Sequence, residues 1–159
     1  MNTEKVVNEL RDALNLSKSS TKLIPMDETE ITISKQNILA AVRIILKSDI
    51  WHLSTITCQQ EEDDFILLYH FWESGGLTLR IELGENTPQI QSICELIPGA
   101  EYYEREAREM FGVEFHGMPN PAPLLLPDGW QGGYPMRKDG GPNHNEMKTE
   151  AFPKKGGSS

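Results

Sequence analysis

Glu104 and Glu106, flanking Arg105 in the stretch AEYYEREAREMFGVEFHG, are a pair of carboxylates of a type that can do acid–base chemistry. A pair of carboxylates can divide a hydrolysis between them, provided a pocket perturbs them differently. On a helix, however, neighbouring positions point in different directions, so the pair reads more simply as a solvated or salt-bridged face. A small hydrolase built on Glu104 and Glu106 is therefore the weakest of three readings.

Other candidates for chemistry fare no better. Glu61, Glu62, Asp63 and Asp64 form an acidic run, but adjacent carboxylates do not by themselves converge on a cation, and solvated decoration of a turn is the better reading. Cys58 and Cys94 stand apart, with no CxxC and no histidine pair beside them, so neither a zinc nor an iron–sulfur ligand set is complete. A disulfide between them is compatible with the sequence but not required by it. His52, His70, His116 and His144 are scattered; a surface position is the default for each, with His116 beside Gly117 an interfacial candidate. Gly75-Gly76 and Gly132-Gly133 are too short and wrongly placed for a phosphate loop. No catalytic, cofactor-binding or metal residue is assigned.

The elements that carry these residues read as follows. Tyr103, Ala107, Met110 and Phe111 recur at helical spacing, with Glu101, Glu104, Arg105, Arg108 and Glu109 largely off that stripe. The spacing predicts a helix over 100–111, ended by Gly112 and supported by i,i+4 pairs Glu101–Arg105 and Glu104–Arg108. Upstream, Val6, Leu10, Ala13 and Leu14 share one face of an N-terminal helix, and a loop follows. Residues 29–34 alternate as a strand, and Ser34 is placed to cap a helix striped by Ile38, Val42, Ile45 and Leu46. Strands are predicted over 51–59, 65–73 and 77–83, the last with Leu77, Leu79, Ile81 and Leu83 inward and Thr78, Arg80 and Glu82 outward. Ser74-Gly75-Gly76 is a tight hairpin, and Pro88 opens a short helical piece through Ile97. The fold class is α+β: helices packed on one face of a small, mostly antiparallel sheet, with an extended Pro/Gly-rich C-terminal arm.

The segment from Gly117 onward holds 7 of the 10 prolines and 8 of the 13 glycines, which excludes a regular helix or a central strand. It nevertheless carries Leu124, Leu125, Leu126, Trp130, Tyr134 and Met136, too many large apolar groups for an ordinary linker. Either it lays these anchors and Arg137 across another subunit, or it folds back over its own sheet; the residues leave both open. The expected organisation is an α+β domain over 1–116, a docking arm over 117–141 and a mobile tail over 142–159.

Composition narrows the partners. A net charge of −9 and a pI near 4.9 argue against nucleic acid or an anionic lipid surface. The charge is uneven, since residues 1–116 hold 10 Lys+Arg against 20 Asp+Glu, while 117–159 hold 5 against 4. No apolar run approaches the roughly 20 residues of a membrane span, and Glu4, Glu9 and Asp12 replace the basic start of a leader, so a cytosolic location is expected.

Several rare residues in order, Glu104-Arg105-Glu106, Phe111-Gly112-Val113, Phe115, Gly117, Pro119, Leu125-Leu126, Trp130 and Tyr134-Pro135-Met136-Arg137-Lys138-Asp139, resemble the signature of the 30-kDa subunit family of respiratory NADH dehydrogenase (complex I). That family also includes the equivalent subunit of membrane-bound, energy-converting nickel–iron hydrogenases. The likeness is close over 101–139 and only general upstream. It has departures: Met118 where quinone-reducing members have histidine, Ala122 and Pro123 where they have an arginine pair, and Glu109-Met110 where they favour an aspartate before Leu-Phe-Gly. The wording Leu-Leu-Pro-Asp-x-Trp and Gly-x-Tyr-Pro is more similar to the hydrogenase branch.

The resemblance implies a non-catalytic, cofactor-free subunit on the cytoplasmic side of the cell membrane, peripheral through its partners. It would dock the large catalytic-type subunit (49-kDa or hydrogenase large subunit) beside the iron–sulfur small subunit, with iron–sulfur clusters and, in one branch, nickel–iron held by those partners. The interface expected is Glu104, Arg105, Glu106, Phe111, Gly112, Leu124, Leu125, Leu126, Pro127, Trp130, Tyr134, Pro135, Arg137, Lys138 and Asp139. The alternative is a free-standing protein-binding adaptor or regulatory domain.

Overall fold

The computed structural model describes residues 3–25, 28–62, 64–73, 75–84 and 88–138. In chain order the elements are α1 (Thr3–Ala13), β1 (Thr21–Ile24), β2 (Glu28–Thr32), α2 (Ile38–Ile45), β3 (Leu53–Glu61), β4 (Asp64–Trp72), β5 (Gly76–Glu82), β6 (Gln89–Gln91), α3 (Ala100–Phe111) and β7 (Glu114–His116), with short 3-10 turns before β1 and α2. The main sheet has the order β1-β2-β5-β4-β3, and all its pairings are antiparallel except β2 with β5. A separate parallel pair joins β6 to β7, with Ile90 opposite Phe115.

Alternation decides which side of the sheet is dry. Ile31 on β2, Phe65, Leu67, Tyr69 and Phe71 on β4, and Leu77, Leu79 and Ile81 on β5 all enter one apolar core. The helices cover that face: Val6 and Leu10 of α1, Ile38, Val42 and Ile45 of α2, and Ala100 and Ala107 of α3 belong to the same cluster. At roughly 1.5–3 kcal/mol for each large apolar side chain buried, this cluster is the main stabilising term of the fold. The expected α+β architecture with helices on a mostly antiparallel sheet is what the chain adopts.

Four expectations are corrected. The stretch after Pro88 is not helical; it forms β6 and a turn in which the Leu96 and Ile97 amides both donate to the Ile93 carbonyl. Its backbone partner is β7, distant in sequence, and burial of Ile90 against Phe115 outweighs the local preference. The run after α1 is not all loop, because Thr21–Ile24 pairs with β2. Ser34 precedes a 3-10 turn and makes no side-chain cap. Thr78 points outward as expected, but it is buried. Its hydroxyl donates to Glu28 Oε1, and His70 Nδ1 lies 2.7 Å from the hydroxyl oxygen. A hydroxyl has one proton to give, so Nδ1–H of His70 must be the donor in the second bond.

The acidic turn between β3 and β4 is used by its neighbour strand. Glu61 Oε2 accepts from Arg80 Nη2 at 3.1 Å, and Glu82 lies 3.5 Å from Arg80 Nε. Asp63 and Ser74 lie outside the described residues, as do Asp139 and the whole 142–159 segment.

Candidate functional site

Helix α3 separates the core from the C-terminal arm, and its two sides do different work. Towards the core, Ala100, Glu104 and Ala107 are buried, and the Tyr103 hydroxyl donates to the Ser54 carbonyl of β3 at 2.9 Å. Gly112 ends the helix in the left-handed conformation at φ 73°, its amide donating to the Arg108 carbonyl. A Cβ there would stand 2.5 Å from the Tyr134 ring and 2.7 Å from Arg137 Nη2. Glycine is required at this position by backbone and neighbours together.

Glu104 is the largest departure from expectation. It is neither solvated nor paired with Arg108; its side chain is completely buried. Ser92 Oγ donates to Oε2 at 2.6 Å, the Ile93 amide to Oε1 at 2.8 Å and the Cys94 thiol to Oε2 at 3.2 Å. The carboxylate thus closes the turn after β6 in place of backbone partners. Burial pushes its pKa above the ordinary carboxylate value, and the three donors oppose that shift. Beneath it on β4, Tyr69 is fully buried with no hydrogen-bond partner for its hydroxyl among the described residues, and burial raises its pKa well above the normal range.

The cysteines form no disulfide. Burial pushes Cys94 up to about 11 and Cys58 up to about 12, the latter partly offset by the charge of Arg137. Both are held as protonated thiols at neutral pH, which lowers their reactivity. Among the described residues no three His, Cys, Asp or Glu side chains are grouped to hold a metal ion.

The opposite side of α3 grips the arm by its backbone. Arg108 Nη1 donates to the Pro121 carbonyl at 2.8 Å, Arg105 Nε to Ala122 at 3.0 Å, and Arg105 Nη2 to Pro123 at 2.7 Å. Glu109 then accepts the Leu124 amide at 3.0 Å and the Leu125 amide at 2.7 Å. Prolines give this stretch carbonyl acceptors without matching N–H donors, and guanidinium groups supply the missing protons. The expected pair Glu101–Arg105 is present at 3.6 Å.

The arm returns past Trp130, whose indole N–H binds the Gly133 carbonyl, to the C-terminal end of α3. There the Met136 amide donates to Met110 and Arg137 Nε to Phe111 at 2.7 Å, satisfying carbonyls that a helix end leaves free. The Arg137 guanidinium lies 4.7 Å from the Phe65 ring centroid and 4.4 Å from that of Tyr134. The Lys138 amide donates to Gln60 Oε1 on β3. Between arm and helix a cavity of about 770 Å³ remains, lined in part by Arg105, Arg108, Arg137, Leu126 and Trp130.

Of the expected interface residues, Arg105, Phe111, Gly112, Leu124, Leu125, Leu126, Trp130, Tyr134, Arg137 and Lys138 are thus gathered around α3 and the arm packed on it. Glu106 and Pro127 are exposed, and Pro135 is half-buried within the arm. Glu104 stands apart in the core, and Asp139 lies outside the described residues. The arm follows its own helix, and Leu125 and Met136 are left 61% and 58% exposed on it. Arg108, Glu109, Gln60 and Phe65 join this arrangement without having been expected in it. For Arg108 the signal was available: Pro121 and Pro123 demand external donors, and cationic helix positions provide them, whereas Glu109 is an acceptor for the Leu124 and Leu125 amides. Gln60 and Phe65 carry no comparable mark.

Comparison with known proteins bears on this arrangement. Residues 31–145 match the family model of the respiratory-chain NADH dehydrogenase 30 kDa subunit. The chain is 40% identical over 81 residues to the C subunit of the NADH-quinone oxidoreductase of Roseiflexus castenholzii, which is 49% of this chain and 46% of that protein. It is 37% identical over 92 residues to the C/D subunit of the Methylococcus capsulatus enzyme, or 56% of this chain and 16% of that protein. The matched segment therefore spans less than half of either relative. Among solved structures, a chain of an archaeal respiratory membrane complex, the membrane-bound sulfane sulfur reductase, superposes with a TM-score of 0.77 at 22% identity, covering 98% of this chain and 95% of the other. A trypsin-resistant fragment of Nqo5 gives a TM-score of 0.62 at 18% identity, covering 76% and 99%. At these identities the two structures speak for the fold.

Proposed function

The chain belongs to the family of the 30 kDa subunit of respiratory-chain NADH dehydrogenase, and from that membership we propose that it is a non-catalytic positioning subunit of a membrane-bound, complex I-like oxidoreductase. It holds the large catalytic-type subunit next to the small subunit with its iron–sulfur cluster. The cofactors belong to those partners, iron–sulfur clusters in either branch and nickel–iron in the hydrogenase branch. Met118, Ala122 and Pro123 favour the latter branch. Electron transfer between partner cofactors depends on their spacing, and this chain contributes by fixing it.

The observation that carries this reading is the arm itself. Five hydrogen bonds from three α3 side chains hold the backbone from Pro121 to Leu125 in one path, while Leu125 stays on the outside. An extended segment ordered this closely, with Leu125 and Met136 both left exposed on it, offers a partner a preformed apolar surface. No helix among the described residues is long and apolar enough to cross a membrane. In the proposed complex the contact with the bilayer belongs to other subunits, with this chain on the cytoplasmic side.

The test is an affinity pull-down from gently solubilised membranes with the full-length chain and with a version truncated after Gly117, reading partner subunits, iron and nickel. Metal-containing partners with the full length and none with the truncation support the reading, and nickel selects the hydrogenase branch. Recovery of both forms alone and metal-free, with other membrane complexes intact, overturns it in favour of a free-standing adaptor.

A further inference from the structure

The cavity between arm and helix has a charge balance unlike the rest of the molecule. The chain carries −9 overall, yet three guanidinium groups, those of Arg105, Arg108 and Arg137, line this one space. Glu109 and Glu114 share the lining, which leaves it at a net +1 within a chain of −9, and the Glu109 oxygens are already engaged by two arm amides. Arg105 has Glu101 at 3.6 Å, whereas among the described residues neither Arg108 nor Arg137 forms an ion pair. Arg137 is turned into the chain by the Phe111 carbonyl and two aromatic rings. Arg108 is exposed, and its described bond to Pro121 uses Nη1. A guanidinium engaged through one nitrogen by a neutral carbonyl keeps its full charge and further N–H groups for an anion.

The dimensions limit what that anion is. At about 770 Å³ the cavity is far larger than a single inorganic ion and falls within the range of sites that enclose a multi-atom ligand. Leu126 and Trp130 add apolar wall beside the charges, which suits a side chain with an aliphatic stem and an acidic tip. We infer that this cavity receives an acidic segment of a partner subunit, whose carboxylate pairs with Arg108 while its stem packs on Trp130. The inference rests on the subunit reading above and names the chemistry of the partner's contact with this site.

A photoreactive benzoylphenylalanine at Leu126, in the full-length chain purified within its native complex, tests it. Irradiation is expected to link position 126 to a partner peptide with Asp or Glu within a few residues of the link. Arg108→Glu should lower that yield about tenfold, as like charges then face each other. Because Arg108 also holds Pro121, the loss is read together with its rescue: replacing the linked partner's carboxylate by lysine should restore the yield with Arg108→Glu. A link to a basic or wholly apolar segment, a link within this chain alone, or a yield indifferent to Arg108→Glu overturns the inference while leaving the subunit reading intact. If the chain instead purifies free of other subunits, that reading falls and takes this inference with it.

Discussion

Arg105 and Glu109, one turn apart on α3, bind the two sides of a single peptide group. Arg105 Nη2 donates to the Pro123 carbonyl at 2.7 Å, and Glu109 Oε1 accepts from the Leu124 amide at 3.0 Å. Opposite charges at this spacing stand over one another on a helix, so the peptide bond is held like the rung between two uprights. The adjoining bonds to Pro121, Ala122 and Leu125 extend the same grip along the arm.

Loss of that grip should be local. Hydrogen bonds to charged groups are worth about 1.5–3 kcal/mol each at best, and these are partly in water, so Glu109→Ala is expected to cost global stability about 1 kcal/mol. Its larger effect is on the arm: amide exchange at Leu124 and Leu125 should accelerate well over tenfold, while β4 and β5, which exchange only with the whole fold, should accelerate no more than the roughly fivefold that 1 kcal/mol allows. Equal acceleration in the central strands would mean that the arm and the core unfold together.

Glu104 should make stability depend on pH in a defined direction. Burial raises its folded-state value above the ordinary 4.5, so the folded state binds the proton more tightly than the unfolded chain. Its contribution is fully present below the unfolded value and declines as pH rises through the folded one. Urea unfolding of the wild type is expected to show this decline, and Glu104→Gln to flatten it. Glu104→Gln also offers an NH2 group where a carboxylate oxygen accepted, at a cost of about 1–3 kcal/mol at pH 5. A steeper pH dependence in Glu104→Gln than in the wild type contradicts the assignment.

Gly112→Ala tests the junction between helix and arm. The left-handed backbone costs a non-glycine residue about 1–2 kcal/mol, and the new methyl group meets Tyr134 and Arg137. Tyr134 and Arg137 must move, releasing the Arg137 bond to Phe111. Limited proteolysis should then cut within 120–138 much faster than in the wild type, and an unchanged cleavage rate refutes this coupling.

The thiols give a simple check on burial. With values of about 11 and 12, Cys94 and Cys58 are protonated at pH 7.5, and Cys94 is buried while Cys58 is half-buried. Neither should react appreciably with Ellman's reagent in minutes, and both should react at once in 6 M guanidinium. Rapid labelling of the native chain would show that β3 or the turn after β6 opens readily.

How much of this was readable beforehand varies with how local each cause is. Helix α3 is legible at both ends, since Pro98-Gly99 precedes it and Gly112 ends it. The inward set Leu77, Leu79 and Ile81 follows from alternation alone. Alternation cannot say whether the other face is dry, however, and Thr78 is buried because Glu28 and His70 reach it from neighbouring strands. The pair β6–β7 is illegible for the same reason, as three-residue strands have no pattern until they meet. Glu104 looks like a surface residue by type; only the turn Ser92–Cys94, folded against it, supplies the donors that let it stay inside.

The grip of α3 on the arm separates two demands that usually compete in one stretch of sequence. Its donors and acceptor address carbonyls and amides from Pro121 to Leu125, groups that any ordinary residue also carries, prolines excepted at the two amides. The side chains at 124 and 125 are therefore free to drift or be redesigned while the path of the chain stays the same. Relatives of this protein can acquire new binding preferences there by substitution alone, and an engineer can graft a foreign recognition sequence onto positions 124–126 without rebuilding the scaffold.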